Sequence, residues 1–234
     1  TVKIGVLNTD KLKPELSLRY GEYPSMFARL LLTAKPDLKL QTYNVVDFQY
    51  PKTIDERDAY LMTGSKLSVY DEIPWIIELK NFVRKLNTIQ KKIVGICFGH
   101  QLIAEALGGK TLAAENGWCV GAHKTKLNEN ATFYKTPGEE FCLLSNHKDQ
   151  VSKMAEGATL LASTEACPIA MTSLGNHILT FQGHPEFNKE YARALLDMRR
   201  EILGEPVYSA AINSLKIETS NSLVSAWILE FIAR

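Results

Sequence analysis

The run Ile93-Val94-Gly95-Ile96-Cys97-Phe98-Gly99-His100-Gln101 leads an apolar strand straight into a cysteine flanked by glycines and then into a helix. A strand-to-helix turn this tight holds its central residue in a strained backbone conformation. It is tolerated because Gly95 and Gly99 carry no β-carbon to collide with neighbouring strands. The arrangement is that of a nucleophile elbow. Cys97 projects from the turn with a helix N-terminus beneath it, where unpaired N–H groups and the positive end of the helix dipole favour a thiolate. The alternative is a buried cysteine that merely closes a strand.

A nucleophilic thiol needs a base and a group to orient that base, neither of them near it in sequence. Of the five histidines, His184 stands out in Ile178-Leu179-Thr180-Phe181-Gln182-Gly183-His184-Pro185-Glu186, at the end of an apolar alternating run that reads as a strand. Across the extended turn His184-Pro185-Glu186 both side chains reach the same side. The carboxylate of Glu186 can hold one ring nitrogen while the other faces Cys97. His123, His147 and His177 sit in polar surroundings and read as surface or loop residues, although His147 has a second claim below. His100, on the first turn after the elbow, is expected to point away from the thiol.

Gly-Ile-Cys-Phe-Gly-His-Gln-Leu with a later Gly-His-Pro-Glu resembles the class I glutamine amidotransferases of the Cys-His-Glu type, from the first strand (2–7) to about residue 200. Ala59-Tyr60-Leu61-Met62-Thr63-Gly64-Ser65 is similar to the family segment whose glycine N–H forms half of an oxyanion hole. Glu115-Asn116-Gly117-Trp118 resembles members close to the amidotransferase domain of GMP synthetase. The resemblance implies an α/β fold, with a mainly parallel, flavodoxin-like central sheet flanked by helices and added antiparallel strands. It also implies roles. Cys97 attacks the side-chain amide of glutamine, His184 carries the proton, Glu186 orients it, and the N–H groups of Gly64 and Phe98 hold the oxyanion. No cofactor or metal is implied.

Substrate recognition follows from the same resemblance. Gln101 matches the family position that contacts the α-amino and α-carboxylate groups of glutamine, with a plain helix-surface glutamine as the alternative. The segment Ser145-Asn146-His147-Lys148-Asp149-Gln150-Val151 resembles the loop lining that pocket, which makes Asn146 and His147 candidate substrate contacts. Relatives of the GMP synthetase type carry a small residue where Lys148 stands. A long cation there would narrow the pocket or bind an additional carboxylate.

At 234 residues and a formal charge of +1, the chain can build one large α/β domain, and no basic stripe marks it for nucleic acid. The longest apolar runs are strand-sized, and Thr1 to Ile4 lead directly into a strand, so neither a transmembrane helix nor a signal peptide is expected. The four cysteines, Cys97, Cys119, Cys142 and Cys167, lack C-x-x-C spacing, which argues against a zinc site or redox pair and suits a reducing, cytoplasmic compartment. Asn130-Ala131-Thr132 fits a glycosylation sequon but reads as a polar loop.

Strand-like and helix-like stretches alternate: a strand at 3–7, a helix near 24–32, strands near 38–45 and 60–63, a helix at 75–86, and a β-rich stretch over about 111–182. A helix at 190–202 closes a domain placed at 1–202. A C-terminal helical extension, 203–234, carries the stripe Leu223, Trp227, Ile228, Phe231, which either docks on the domain or binds a partner chain. No acceptor-substrate domain fits within the chain. Three functions are therefore in view: a stand-alone glutaminase releasing ammonia, with a separate ammonia-accepting protein; a γ-glutamyl peptidase acting on γ-glutamyl peptides or glutathione conjugates; and a non-catalytic interaction module.

Overall fold

Alternating side-chain direction along the first strands divides the interior into two faces. In β1 (Lys3–Asn8), Ile4 and Val6 face one way and Leu7 the other; in β3 (Ala59–Met62), Ala59 and Leu61 oppose Tyr60 and Met62; in β4 (Lys92–Ile96), Val94 and Ile96 oppose Ile93. All are buried, as a sheet covered by helices on both sides requires. The computed structural model describes residues 1–131 and 139–234.

Five strands run parallel at the heart of the main sheet. β2 (Lys39–Asn44) pairs with β1, β1 with β3, β3 with β4, and β4 with β11 (Ile178–Phe181). Beyond β11 the sheet continues antiparallel through β10 (Met171–Leu174), β9 (Thr159–Ser163), β6 (Cys119–Leu127) and β7 (Glu140–His147). A separate two-stranded sheet joins β5 (Lys110–Ala113) to β8 (Asp149–Lys153). The mainly parallel α/β sheet with added antiparallel strands agrees with expectation.

One face is covered by α2 (Tyr23–Ala34) and α7 (Asn221–Ala233), the other by α3 (Pro74–Thr88) and α4 (Phe98–Ala106). The α7 stripe faces inward: Val224, Trp227, Ile228 and Phe231 are buried in the same cluster as Phe27 and Leu31 of α2. Lys92 ties the helix down by donating from Nζ to the Phe231 carbonyl at 2.9 Å. Two helices carry no strong sequence pattern, α1 (Pro14–Tyr20) and α6 (Glu205–Ser214). Between them α5 (Lys189–Leu203) packs on β7 and α6, its start capped by Asn188, whose Oδ1 accepts from Tyr191 N–H. The sequon's Thr132 lies outside the described residues. Among the described residues no helix is long and apolar enough to cross a membrane.

Candidate active site

Cys97 stands between the end of β4 and the start of α4 with φ 53° and ψ −102°, a left-handed conformation that a residue with a β-carbon adopts only under compulsion. The surroundings supply that compulsion. Cys97 N–H donates to the Phe181 carbonyl of β11 at 2.8 Å, and its own carbonyl accepts from Gln101 N–H at 3.0 Å as α4 begins. A β-carbon at Gly95 would lie 2.7 Å from the Gly99 carbonyl oxygen, and one at Gly99 2.7 Å from that of Met62. Both glycines are therefore fixed by backbone contact, as the elbow requires.

The register between β4 and β11 brings the histidine to the cysteine. Phe181 pairs with Ile96, so the two chains leave the sheet side by side, one into Cys97 and the other into Gln182-Gly183-His184. His184 is then held by β7, its N–H donating to the Leu144 carbonyl at 2.8 Å. Its Nδ1 lies 2.9 Å from Glu186 Oε2, leaving Nε2 for the thiol side. Phe187 stacks on the imidazole at 3.8 Å between centroids and 8° between planes. All three polar residues are buried: Cys97 5%, His184 2% and Glu186 7% exposed. Burial alone would depress the imidazole, but the Glu186 carboxylate and then the Cys97 sulfur outweigh it and lift His184 to about 10. The ring is thus favoured as an imidazolium beside the Cys97 sulfur.

Gly64 and Phe98 flank the same point. Phe98 opens α4, so its N–H has no carbonyl to meet within the helix. A β-carbon at Gly64 would fall 2.9 Å from His184 Cε1 and 3.6 Å from the Cys97 β-carbon, which places this glycine directly against both. Its peptide is pinned from behind. Thr9 Oγ1 donates to the Gly64 carbonyl at 2.7 Å, and Lys66 N–H and Nζ donate to Asp10 at 3.1 and 2.8 Å.

Two cavities meet at Cys97. The first, about 240 Å³, lies on the α4 side and is lined by Gln101, Asn146, His147, Asp149, Trp118 and Arg199 among others. All three residues expected to contact substrate, Gln101, Asn146 and His147, line it. Gln101 is buried at 4%, not on the helix surface, with Nε2 donating to the Asp149 carbonyl at 2.9 Å and to Gln182 Oε1 at 3.2 Å. Gln182 in turn donates from Nε2 to Cys97 Sγ at 3.5 Å. The Asp149 carboxylate accepts from Ser68 Oγ at 2.6 Å and Tyr70 OH at 2.8 Å, while Arg199 lies over the Trp118 ring and bonds Asn146 Oδ1. Lys148 is exposed at this cavity's edge. The second cavity, about 300 Å³, opens on the His184 side between Leu16, Tyr23, Phe187, Tyr191 and Leu195.

The histidines correct the sequence reading. His147 is buried at the end of β7 with Nδ1 2.9 Å from the Asp149 carbonyl, and burial drives it down to about 3. His177 does lie in a turn, yet it is buried, with Nε2 on Asn87 Oδ1 at 2.7 Å. His123 is part-buried within β6, with Nε2 on the Val120 carbonyl at 2.8 Å. Polar neighbours in sequence suggest exposure, but strand alternation turns His147 inward, and His177 is covered from its turn by its bond to Asn87 of α3. His100 points away from the thiol as expected, bonded to Thr180 Oγ1 at 2.7 Å and the Ile169 carbonyl at 3.1 Å. Asp149, Gln182, Arg199 and Phe187 were not identified in advance as site residues. The first two stand inside the diagnostic motifs, whereas Arg199 belongs to a polar helix face that carries no signal.

Among the described residues no group of three or more His, Cys, Asp or Glu side chains could hold a metal. The family model for glutamine amidotransferase class-I matches residues 35–197. Gamma-glutamyl peptidase 3 of Arabidopsis thaliana is 34% identical over 186 residues, covering 76% of this chain and 74% of that protein. A glutamine-hydrolysing GMP synthase of Agathobacter rectalis is 28% identical over 71% of this chain, which spans 30% of that longer protein. The crystal structure of a glutamine amidotransferase from Methylobacillus flagellatus superposes with a TM-score of 0.78 at 20% identity, covering 99% of this chain and 92% of that one. With the sheet, the elbow and the paired histidine and glutamate in place, the chain belongs to the class I glutamine amidotransferase family.

Proposed function

We propose that the protein hydrolyses the γ-glutamyl amide bond of γ-glutamyl peptides through a thioester on Cys97. The Cys97 sulfur adds to the amide carbon, and the oxyanion that develops is held by the N–H groups of Phe98 and Gly64. The carbon–nitrogen bond breaks as His184 gives its Nε2 proton to the nitrogen, so the peptide's amine leaves neutral and a γ-glutamyl thioester remains. Water then adds to that thioester while giving a proton back to His184. The carbon–sulfur bond breaks, glutamate departs, and the thiolate and imidazolium are restored. Glu186 keeps the imidazole in one orientation through its hydrogen bond with Nδ1.

The acyl half of the substrate suits the cavity on the α4 side. Asp149 offers a carboxylate, braced by Ser68 and Tyr70, to the α-ammonium group. Arg199 offers the α-carboxylate a guanidinium braced by Trp118 and Asn146. The observation that carries the peptidase reading over the glutaminase one is the second cavity, about 300 Å³ on the His184 face of the nucleophile. Ammonia, the leaving group of glutamine, needs no such space. The similarity to a protein named γ-glutamyl peptidase supports the same choice. On this reading the amine is a product, and a separate ammonia-accepting partner belongs only to the glutaminase alternative.

Mass spectrometry of the purified protein beside Cys97→Ala, incubated with glutamine and with γ-glutamyl peptides including glutathione, tests the reading. Glutamate is expected from the peptides and none from the variant. Glutamate from glutamine alone would restore the glutaminase assignment.

A further inference from the structure

The cavity on the His184 side continues outward as a groove whose chemistry is one-sided. On α5, Tyr191, Leu195, Met198 and Ile202 recur at spacings of four and three residues and so share one face of the helix. The inner end of this stripe is buried, with Tyr191 1% and Leu195 4% exposed beside Phe187, whereas Met198 is 39% and Ile202 71% exposed at the outer end. Leu12 and Leu16 form the opposite wall. An apolar stripe that starts beside Phe187, the ring stacked on the His184 imidazole, and ends uncovered lacks a partner along its outer half. The polar groups at its lip are mostly cationic, Lys11, Lys13 and Lys66 against the single acid Asp10, with Arg199 at the boundary shared with the α4-side cavity. Lys11 is paired with Asp47 and Lys66 with Asp10, which leaves the balance of the lip positive.

Resting on the peptidase reading above, we propose that this groove is the subsite for the leaving residue, and that it selects γ-glutamyl peptides whose second residue has a large apolar side chain. The γ-carbonyl sits at Cys97, the amide nitrogen faces His184, and the side chain attached beyond that nitrogen lies along Tyr23, Phe187, Leu195 and Met198. The carboxylate of the same residue meets the cationic lip. Glycine in the second position leaves the groove empty and gains nothing from it.

The test is kcat/KM for γ-glutamylphenylalanine, γ-glutamylleucine and γ-glutamylglycine, with glutamine as the reference substrate. Burial of one such side chain predicts a preference of about ten- to a hundredfold for the phenylalanine and leucine peptides over the glycine peptide. Met198→Glu, on a partly exposed helix position where folding is undisturbed, should lower the phenylalanine-to-glycine ratio at least severalfold. Equal rates for all three dipeptides, or a ratio unmoved by both Met198→Glu and Ile202→Glu, would overturn the apolar subsite while leaving the peptidase intact. Hydrolysis of glutamine with none of the dipeptides cleaved would overturn the peptidase reading and the subsite with it.

Discussion

A single methyl group at position 64 would press against His184 and touch Cys97, so this glycine has little room for a side chain. Gly64→Ala keeps its N–H but sets a β-carbon 2.9 Å from His184 Cε1, so by displacing the imidazole or the donor it is expected to cut turnover by up to roughly a hundred- to a thousandfold, while far-ultraviolet circular dichroism stays unchanged. Turnover within a few-fold of wild type would show that the imidazole does not depend on the close approach of Gly64. Cys97 carries a different liability, because its φ of 53° is strained for any residue with a β-carbon. Cys97→Ala and Cys97→Gly should both be inactive, and the glycine variant the more stable of the two by about 1 kcal/mol in urea denaturation. On the proposed mechanism the leaving amine takes its proton from an imidazolium, so the lift of His184 to about 10 predicts an alkaline limb of kcat/KM in that region. Glu186→Gln removes the larger of the two charges that raise it, so the limb should move to lower pH; an unmoved limb would detach Glu186 from the imidazole's titration. The other thiols are quiet by comparison. Burial pushes Cys119 and Cys167 up to about 12, so iodoacetamide near neutral pH should leave both unmodified in the folded protein.

At the scale of elements, the site depends on how closely α4 can approach the strands. Gly95 and Gly99 allow that approach, and a β-carbon at Gly95 would lie 2.6 Å from Ile103 Cδ1. Gly95→Ala should therefore destabilise the fold by about 1–3 kcal/mol, read as a lower urea midpoint. The α7 helix is integrated in the same sense. Trp227 is 3% exposed and meets Phe141 edge to face at 5.1 Å, so Trp227→Ala should cost about 3–5 kcal/mol, and a loss under 0.5 kcal/mol would mean that α7 is dispensable to the core. The longer helices α2, α3 and α5 were legible because their apolar residues recur at helical spacing over three turns or more. The short α1 was not, since seven residues give too few repeats, whereas α6 falls within the helical extension expected at 203–234, its bounds set by local packing on β6.

For the whole molecule, buried histidines set how stability varies with pH. Burial lowers His100 to about 4 and His147 to about 3, so below the ordinary value of 6.5 the unfolded chain takes up protons that the folded chain refuses. Stability is lost there as pH falls. His184 acts in the opposite direction: its raised value contributes stability that is complete below 6.5 and lost as pH rises through about 10. These three rings together predict a maximum in Tm close to neutrality with declines on both sides, measurable by thermal scans from pH 4 to 10. The amino-acid sequence by itself located the strand-to-helix turn at Cys97 and the His184–Glu186 pair, because each is written in a contiguous run where glycine, apolar alternation and a polar residue occur at fixed offsets, and the alternation of strand-like and helix-like stretches pointed to a mainly parallel sheet. Only the tertiary structure decided which histidines are buried, that Gln101 reaches Gln182, and that Arg199 on α5 meets Trp118 and Asn146. Those contacts join residues tens of positions apart, and nothing local in the chain encodes which strand register or helix face will bring them together.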